Sequence, residues 1–277
     1  MSRPFLVRWL LLFALGPVLP AADAAPPASL EPVGPEVLLK LDDLIRSSAD
    51  PKAGPGARWL RVTDFLTAEG VKANYGILAW SLEGDCPTYI AWLQKLQSSG
   101  MIEIWDHGYG KFEPATDPLE KRGEYLNRTL ADQTVSARKS FDLVKEKTGI
   151  VMRAFGPHGT PPDQHMHEAL ATIPEFKLVF FYGPAKGVAC DKIVLERRAE
   201  LELPIFHPNP DNLRSHWDQL GKRDYLALQG HPNTWDDQAF AKFQEVVRFL
   251  KQQHCRFMTV SDYLAAHPPV SAHPPTP

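Results

Sequence analysis

The stretch EVLLKLDDLI, residues 36–45, decides the fold. It runs apolar for the length of a strand and stops at two adjacent carboxylates, Asp42 and Asp43. Neighbouring strand residues face opposite ways, but at a strand end the backbone can twist so that both reach one site. One carboxylate then serves as a metal ligand and the other as a base. The alternative is a turn or a helix cap, where Asp is common and needs no chemistry.

The same rhythm continues outward. ARWLRVTDFLTAEG predicts a helix closed by Gly70, and CPTYIAWLQKLQSSG one closed by Gly100. VKANYGILAW and MIEIWDHG read as strands. Leu119, Leu126, Leu130, Ala137, Phe141 and Val144 recur at helical spacing and predict a long helix over about 118–149, ended by Gly149. VMRAFGP and FKLVFFYG are strands flanking the helix PDQHMHEALATI. KIVLERRAELELP is a strand or hairpin, NLRSHWDQLGK a short helix and DYLALQGHP a strand. DQAFAKFQEVVRFLKQQH is an amphipathic helix, and RFMTVSDYLAAH a last strand and turn. Such alternation implies parallel strands with helical crossovers. The fold class is α/β, a closed or nearly closed barrel, with an open doubly wound sheet as the alternative.

Four predicted strands end in polar groups that are costly to bury unpaired. They are Asp42-Asp43, Asp106-His107, Gly156-Pro157-His158 and Gly230-His231-Pro232. In a parallel barrel these ends share the face where active sites lie. His107 has an apolar approach and Gly108 behind it. Neutral imidazole suits zinc-like cations, although a satisfied core histidine gives the same pattern. His231 can act as general acid. His158 reads as a ligand, a substrate contact or an exposed turn residue. His165 and His167 read as surface residues, and Asp236 or Asp237 as a helix cap. Trp80, Trp105, Tyr109 and Trp235 can stack on sugars or fill the core; strand position favours core for Trp80 and Trp105. No G-x-S-x-G, P-loop, H-E-x-x-H or strand-linked G-x-G-x-x-G is present.

Residues 1–24 read as an export signal: Arg3 and Arg8, then WLLLFALGPVL, then ADA at 22–24. The apolar run is too short to span a bilayer. Residues 25–35 form a Pro-rich linker, 36–266 a single domain and 267–277 a Pro-rich tail. Of 277 residues 44% are hydrophobic and 23% charged, enough for a full core. A net charge of −3 without a basic run longer than two residues gives no sign of a nucleic-acid partner, and none is expected. Cys86, Cys190 and Cys255 form no C-x-x-C pair, and an odd number leaves at least one thiol free.

Four stretches carry a family resemblance: LKLDDLI, WDHGYGK, RAFGPHGT and LQGHPNTWDD, with VKEKTGI before the third. In this order, over most of residues 36–264, they resemble the polysaccharide deacetylase superfamily, in particular a bacterial subgroup whose second motif reads WNHGYDH. The resemblance implies a distorted (β/α) barrel of about seven parallel strands that hydrolyses N- or O-acetyl groups on a glycan. It implies one divalent metal, expected to be zinc, held by an Asp and two His. Carried over by position, Asp42 is the base, Asp43 and His107 are ligands, and His231 is the general acid. Apart from the resemblance, Tyr109, Lys111 and Trp235 are expected to face the substrate.

Two departures stand out. Lys111 occupies the place of the second metal histidine, and an ammonium cannot coordinate a cation. The third ligand then falls to Glu113 or His158. Gly156 stands where the family often has an Arg that orients the base; Arg153 is near in sequence. Two alternatives to catalysis with a third ligand follow from Lys111. A metal-free protein binds glycan without cutting it, with the lysine neutralising Asp42 and Asp43, or Lys111 points away and the metal is held weakly. The expected setting is periplasmic or secreted, with a glycan substrate as partner, no nucleic acid and no stable membrane span after signal removal.

Overall fold

The computed structural model describes residues 34–110, 123–159, 163–181 and 191–268. The expected export signal, Lys111, Glu113, Cys190 and most of the Pro-rich tail lie outside the described residues.

Among the described residues eight parallel strands form one curled sheet: β1 (Glu36–Leu44), β2 (Ala73–Ile77), β3 (Ile102–Asp106), β4 (Ala154–Phe155), β5 (Leu178–Phe181), β6 (Ile193–Glu196), β7 (Tyr225–Gly230) and β8 (Arg256–Phe257). Their order is β6-β5-β4-β3-β2-β1-β7, and β8 pairs the start of β1. This is the expected distorted barrel. The helices are α1 (Ala57–Glu69), α2 (Pro87–Ser98), α3 (Leu130–Thr148), α4 (Gln164–Ala171), α5 (Pro210–Ser215), α6 (Trp217–Leu220), α7 (Asp237–Gln252) and α8 (Val260–Ala266).

Two cores follow from the two faces of the sheet. Val37, Leu39 and Leu41 of β1 point outward into one cluster with Trp59 and Leu66 of α1 and Phe243 and Val247 of α7. Leu38 points inward and joins Trp105, Ala154, Phe180 and Ala227. Extending the period of two from these inward residues gives Leu38-Lys40-Asp42, Trp105-His107, Ala154-Gly156-His158 and Ala227-Gln229-His231. Alternation alone therefore carries one functional group from each of four strands to the same mouth.

Local chemistry sets the helix ends. Gly70 and Gly149 take the left-handed conformation after α1 and α3, at φ 66° and 74°. The long helix starts later than its apolar spacing suggests, because Thr129 caps the chain at the Asp132 amide. RFMTVSDYLAAH is mostly helix rather than strand and turn: Thr259 and Asp262 form a reciprocal capping box that begins α8 immediately after the two residues of β8. His167 is buried rather than a surface residue. No helix among the described residues is long and apolar enough to cross a membrane.

Candidate active site

Asp42 continues the inward alternation, and by the same rule Asp43 should face outward. It does not, because the β1–β2 register shifts between Leu41 and Leu44 and Asp43 adopts φ 65°. Asp is one of the few residues that tolerate this left-handed conformation, and such irregularities re-aim a side chain. Both carboxylates thus reach His107: its Nε2 stands 3.5 Å from Asp42 Oδ2 and 3.4 Å from Asp43 Oδ1.

The tautomer of His107 is fixed by its other nitrogen. Nδ1 lies 2.7 Å from the Gly156 carbonyl oxygen, which can only accept, so Nδ1 carries a proton. His107 Nε2 faces two carboxylate oxygens, an arrangement that either its own proton or a cation placed between them would balance. The separations exceed the 2.7–2.9 Å or so of a charge-assisted hydrogen bond. His158 Nε2 is likewise 3.5 Å from Asp43 Oδ1. Ligands about 2.1 Å from a tetrahedral zinc stand about 3.4 Å from one another. Asp43 Oδ1 is buried and accepts no hydrogen bond. Among the described residues no group of three or more His, Cys, Asp or Glu side chains is arranged to hold a metal ion. The two edges that meet at Asp43 nonetheless have tetrahedral length, and the donor set of one carboxylate oxygen and two imidazoles fits a divalent cation.

The electrostatics agree with that fit. Burial works against the Asp43 carboxylate, but the imidazoles around it, His107 first and then His158 and His231, favour its charged form and hold its pKa well below the usual range. Burial, then the charge of His107, lowers His158 to about 4 against the pull of Asp43 and Asp42. His158 is therefore neutral at pH 7, the form a metal ligand requires.

Asp42 is fully buried, and Lys40 Nζ donates to both its oxygens at 2.7 and 2.5 Å. Gln229 Nε2 donates to Asp42 Oδ2 at 2.8 Å, and Arg197 donates to Gln229 Oε1 at 2.6 Å, which fixes the amide orientation. The Lys40 ammonium also lies 4.7 Å from the centre of the Trp105 ring. Gly156 makes room for that ring: a Cβ there would sit 2.8 Å from Trp105. Arg153, the sequence-based candidate for orienting the base, instead points to the opposite end of the barrel and meets Ser261 at 3.4 Å. Lys40 supplies the cation there. It was legible in principle, as a lysine two residues before Asp42 on an otherwise apolar strand.

His231 Nε2 faces Asp42 Oδ2 at 3.9 Å and stands 3.2 Å from Gln229 Nε2. Its Nδ1 lies 2.6 Å from Glu202 Oε2. Glu202 Oε1 accepts from the His231 amide at 2.8 Å and from Trp235 Nε1 at 2.7 Å. Burial disfavours the charged ring, but the hydrogen bond to Glu202 and the charges of Asp42, Glu202 and Asp43 outweigh it and raise the His231 pKa. Sequence reasoning missed Glu202. Its one signal is a carboxylate between the leucines of LELP, in a stretch readable as strand or loop.

The substrate-facing candidates fare differently. Trp235 is fully buried, packs on Phe243 and holds Glu202, so it presents no face to a sugar. Tyr109 is 9% exposed, donates its hydroxyl to Glu83 and lies under Lys139. Lys111 and Glu113 fall outside the described residues. Asp106, beside His107, turns outward and accepts from the Gly108 amide at 2.8 Å and Ser140 at 2.5 Å. Burial pushes its pKa up to about 7, so it is half protonated near neutrality, where the resembling subgroup carries Asn. Asp43, His107, His158, Gln229 and His231 line a cavity of about 360 Å³.

No known family profile matches the chain, and no curated protein matches its sequence. Solved structures do match its fold. The Xyl-CE4 domain of a multidomain xylanase from the hindgut metagenome of Trinervitermes trinervoides is 14% identical with a TM-score of 0.53, covering 84% of this chain and 91% of that one. A family 4 acetyl xylan esterase from Clostridium thermocellum, in complex with a cobalt ion, is 13% identical with a TM-score of 0.54, covering 83% and 91%. A CE4 family pseudoenzyme from Bacillus anthracis is 13% identical with a TM-score of 0.53, covering 84% and 66%. The chain has the fold of the CE4 carbohydrate esterases and deacetylases, a fold that carries both active and inactive sites.

Proposed function

We propose that the chain is a metal-dependent deacetylase of an acetylated glycan, acting outside the cytoplasm after removal of residues 1–24. The observation that carries this reading is the approach of His107 Nε2 and His158 Nε2 to an unsatisfied Asp43 oxygen at 3.4 and 3.5 Å. Asp43, His107 and His158 would hold the cation, and zinc suits the donor set. A divalent cation bound there supplies Lewis acidity toward an acyl oxygen and a water molecule.

The remaining work falls to side chains. Asp42, held by Lys40 and Gln229, accepts a proton as water oxygen attacks the acetyl carbon. His231, oriented by Glu202, gives a proton from Nε2 to the departing amine or alcohol as the C–N or C–O bond breaks. Acetate and the free glycan group are the products. The Glu202–His231 contact fixes the ring so that only Nε2 exchanges protons with the cavity, and it favours the protonated ring against the effect of burial.

One observation favours a second reading, binding without cleavage. Lys40 engages both oxygens of Asp42, which reduces its strength as a base. Acetate release from N-acetylated and O-acetylated oligosaccharides, measured with zinc present, separates the two. Release abolished by Asp42→Asn without loss of metal binding supports the deacetylase. Glycan binding with no release by the wild type supports the second reading.

A further inference from the structure

The aromatic residues that sequence offered for sugar contact are buried, yet the cavity has an apolar wall. Leu203, Ile205 and Phe206 are 49%, 52% and 41% exposed, the densest run of large exposed hydrophobic residues among those described. Ile205 and Phe206 line the same cavity as His107, His158 and His231. Single exposed apolar residues need no explanation, but a contiguous patch at a cleft does.

The segment is held rigidly. Leu203 N donates to the His207 carbonyl at 3.0 Å, and His207 N to the Pro204 carbonyl at 3.1 Å. Asn209 Nδ2 closes the loop on the Leu203 carbonyl at 2.9 Å. Phe206 sits at φ 71°, a conformation bulky side chains rarely adopt. Its amide donates at 2.9 Å to Glu202 Oε2, the same oxygen that meets His231 Nδ1. Its ring stands edge-on to the His231 imidazole, with centroids 4.9 Å apart and planes at 78°. Backbone strain kept at a site by surrounding contacts is a pointer to function. The strap places an aromatic ring beside the group that protonates the leaving group, while Arg197 and Gln229 give the cavity a polar wall.

We infer that Phe206, backed by Ile205, is the platform on which the leaving-group sugar lays its apolar C–H face, with the sugar hydroxyls turned to the polar wall. A pyranose has this two-sided character, and the cavity lies at the small end of the usual 300–1,000 Å³ or so for ligand sites. The choice of the leaving-group side rests on His231 as the acid of the proposed deacetylase; the platform itself does not.

Calorimetric titration of the full chain carrying Asp42→Asn, with an N-acetylglucosamine tetramer and an O-acetylated xylotetraose, tests this. Phe206→Gly is the informative variant, because glycine relieves the positive φ while deleting the ring. The expected result is a melting temperature equal to or above the parent with glycan affinity at least tenfold weaker, and affinity restored by Phe206→Trp. Unchanged affinity in Phe206→Gly overturns the platform, as does failure of the parent to bind either oligomer. Equal binding of phenyl acetate, with an equal loss in Phe206→Gly, overturns the assignment to a sugar. Acetate release by the wild type, read in parallel, judges the deacetylase separately: affinity lost with no release leaves the platform standing and removes the deacetylase.

Discussion

The two ends of the barrel treat buried polar groups in opposite ways. At the end where the strands begin, Glu103 and Asn74 are paired within the protein. Glu103 accepts from the amide and hydroxyl of Ser261 at 2.7 and 2.9 Å, and Asn74 bridges the Met258 carbonyl and the Val260 amide at 3.0 and 2.7 Å. These bonds seat the start of α8 against the sheet. At the end where the strands finish, Asp43 Oδ1 has no hydrogen bond, and two imidazoles stop 3.4 and 3.5 Å short of it. Buried polar groups in native proteins are nearly always satisfied. A polar cluster closed on itself is architecture, and one left open in the middle has a place for something else.

Breaking the open end should have the largest effects. Asp42→Asn removes the proposed base and is expected to reduce acetate release by about 10²–10⁴-fold, with glycan binding retained. Steady-state kinetics beside calorimetry check it, and a variant that keeps wild-type kcat contradicts the assignment. Lys40→Met leaves Asp42 buried without its cation. Removing one partner of a buried pair typically costs about 3–5 kcal/mol, so urea unfolding should show a loss of that order together with lost activity.

Glu202→Gln tests coupling at the same end through pH. The general acid works only when protonated, so activity falls as pH rises through the His231 pKa, which lies above its ordinary value. Taking away the Glu202 charge and hydrogen bond lowers that pKa, and the alkaline limb of kcat/KM should move to lower pH. A limb that stays in place means His231 is not the acid.

The smallest effects belong to the closed end. Burial raises the pKa of Glu103 above 4.5, against the hydrogen bonds of Ser261 and Thr259. A raised folded-state pKa means that stability linked to this proton is complete below about pH 4.5 and is lost as pH rises through the folded value. Glu103→Gln should flatten that decline in thermal melts and leave acetate release within twofold of wild type. A large loss of activity in this variant would erase the distinction between the two ends.

Much of this was legible in sequence because it rests on one rule. The period of two in a strand places Asp42, His107, His158 and His231 on inward tracks, and the alternation of strands and helices places those tracks side by side. Three features resisted for three different reasons. The aim of Asp43 depends on φ 65° at a register shift, a backbone event without a residue signature beyond Asp itself. Glu202 lies in an irregular segment where no periodicity indicates what a side chain faces. Trp235 lies in a motif shared with a resembling family, but its environment comes from Phe243 of α7 and from Glu202, both distant in the chain.

The central claim is that Asp43, His107 and His158 together hold a divalent cation. Titration of metal-stripped protein with Co²⁺, followed by visible absorbance and calorimetry, tests it without reference to activity. The account predicts one cobalt per chain, with affinity lost in Asp43→Ala and sharply weakened in His158→Ala. Absence of binding, or binding untouched by Asp43→Ala, would contradict it.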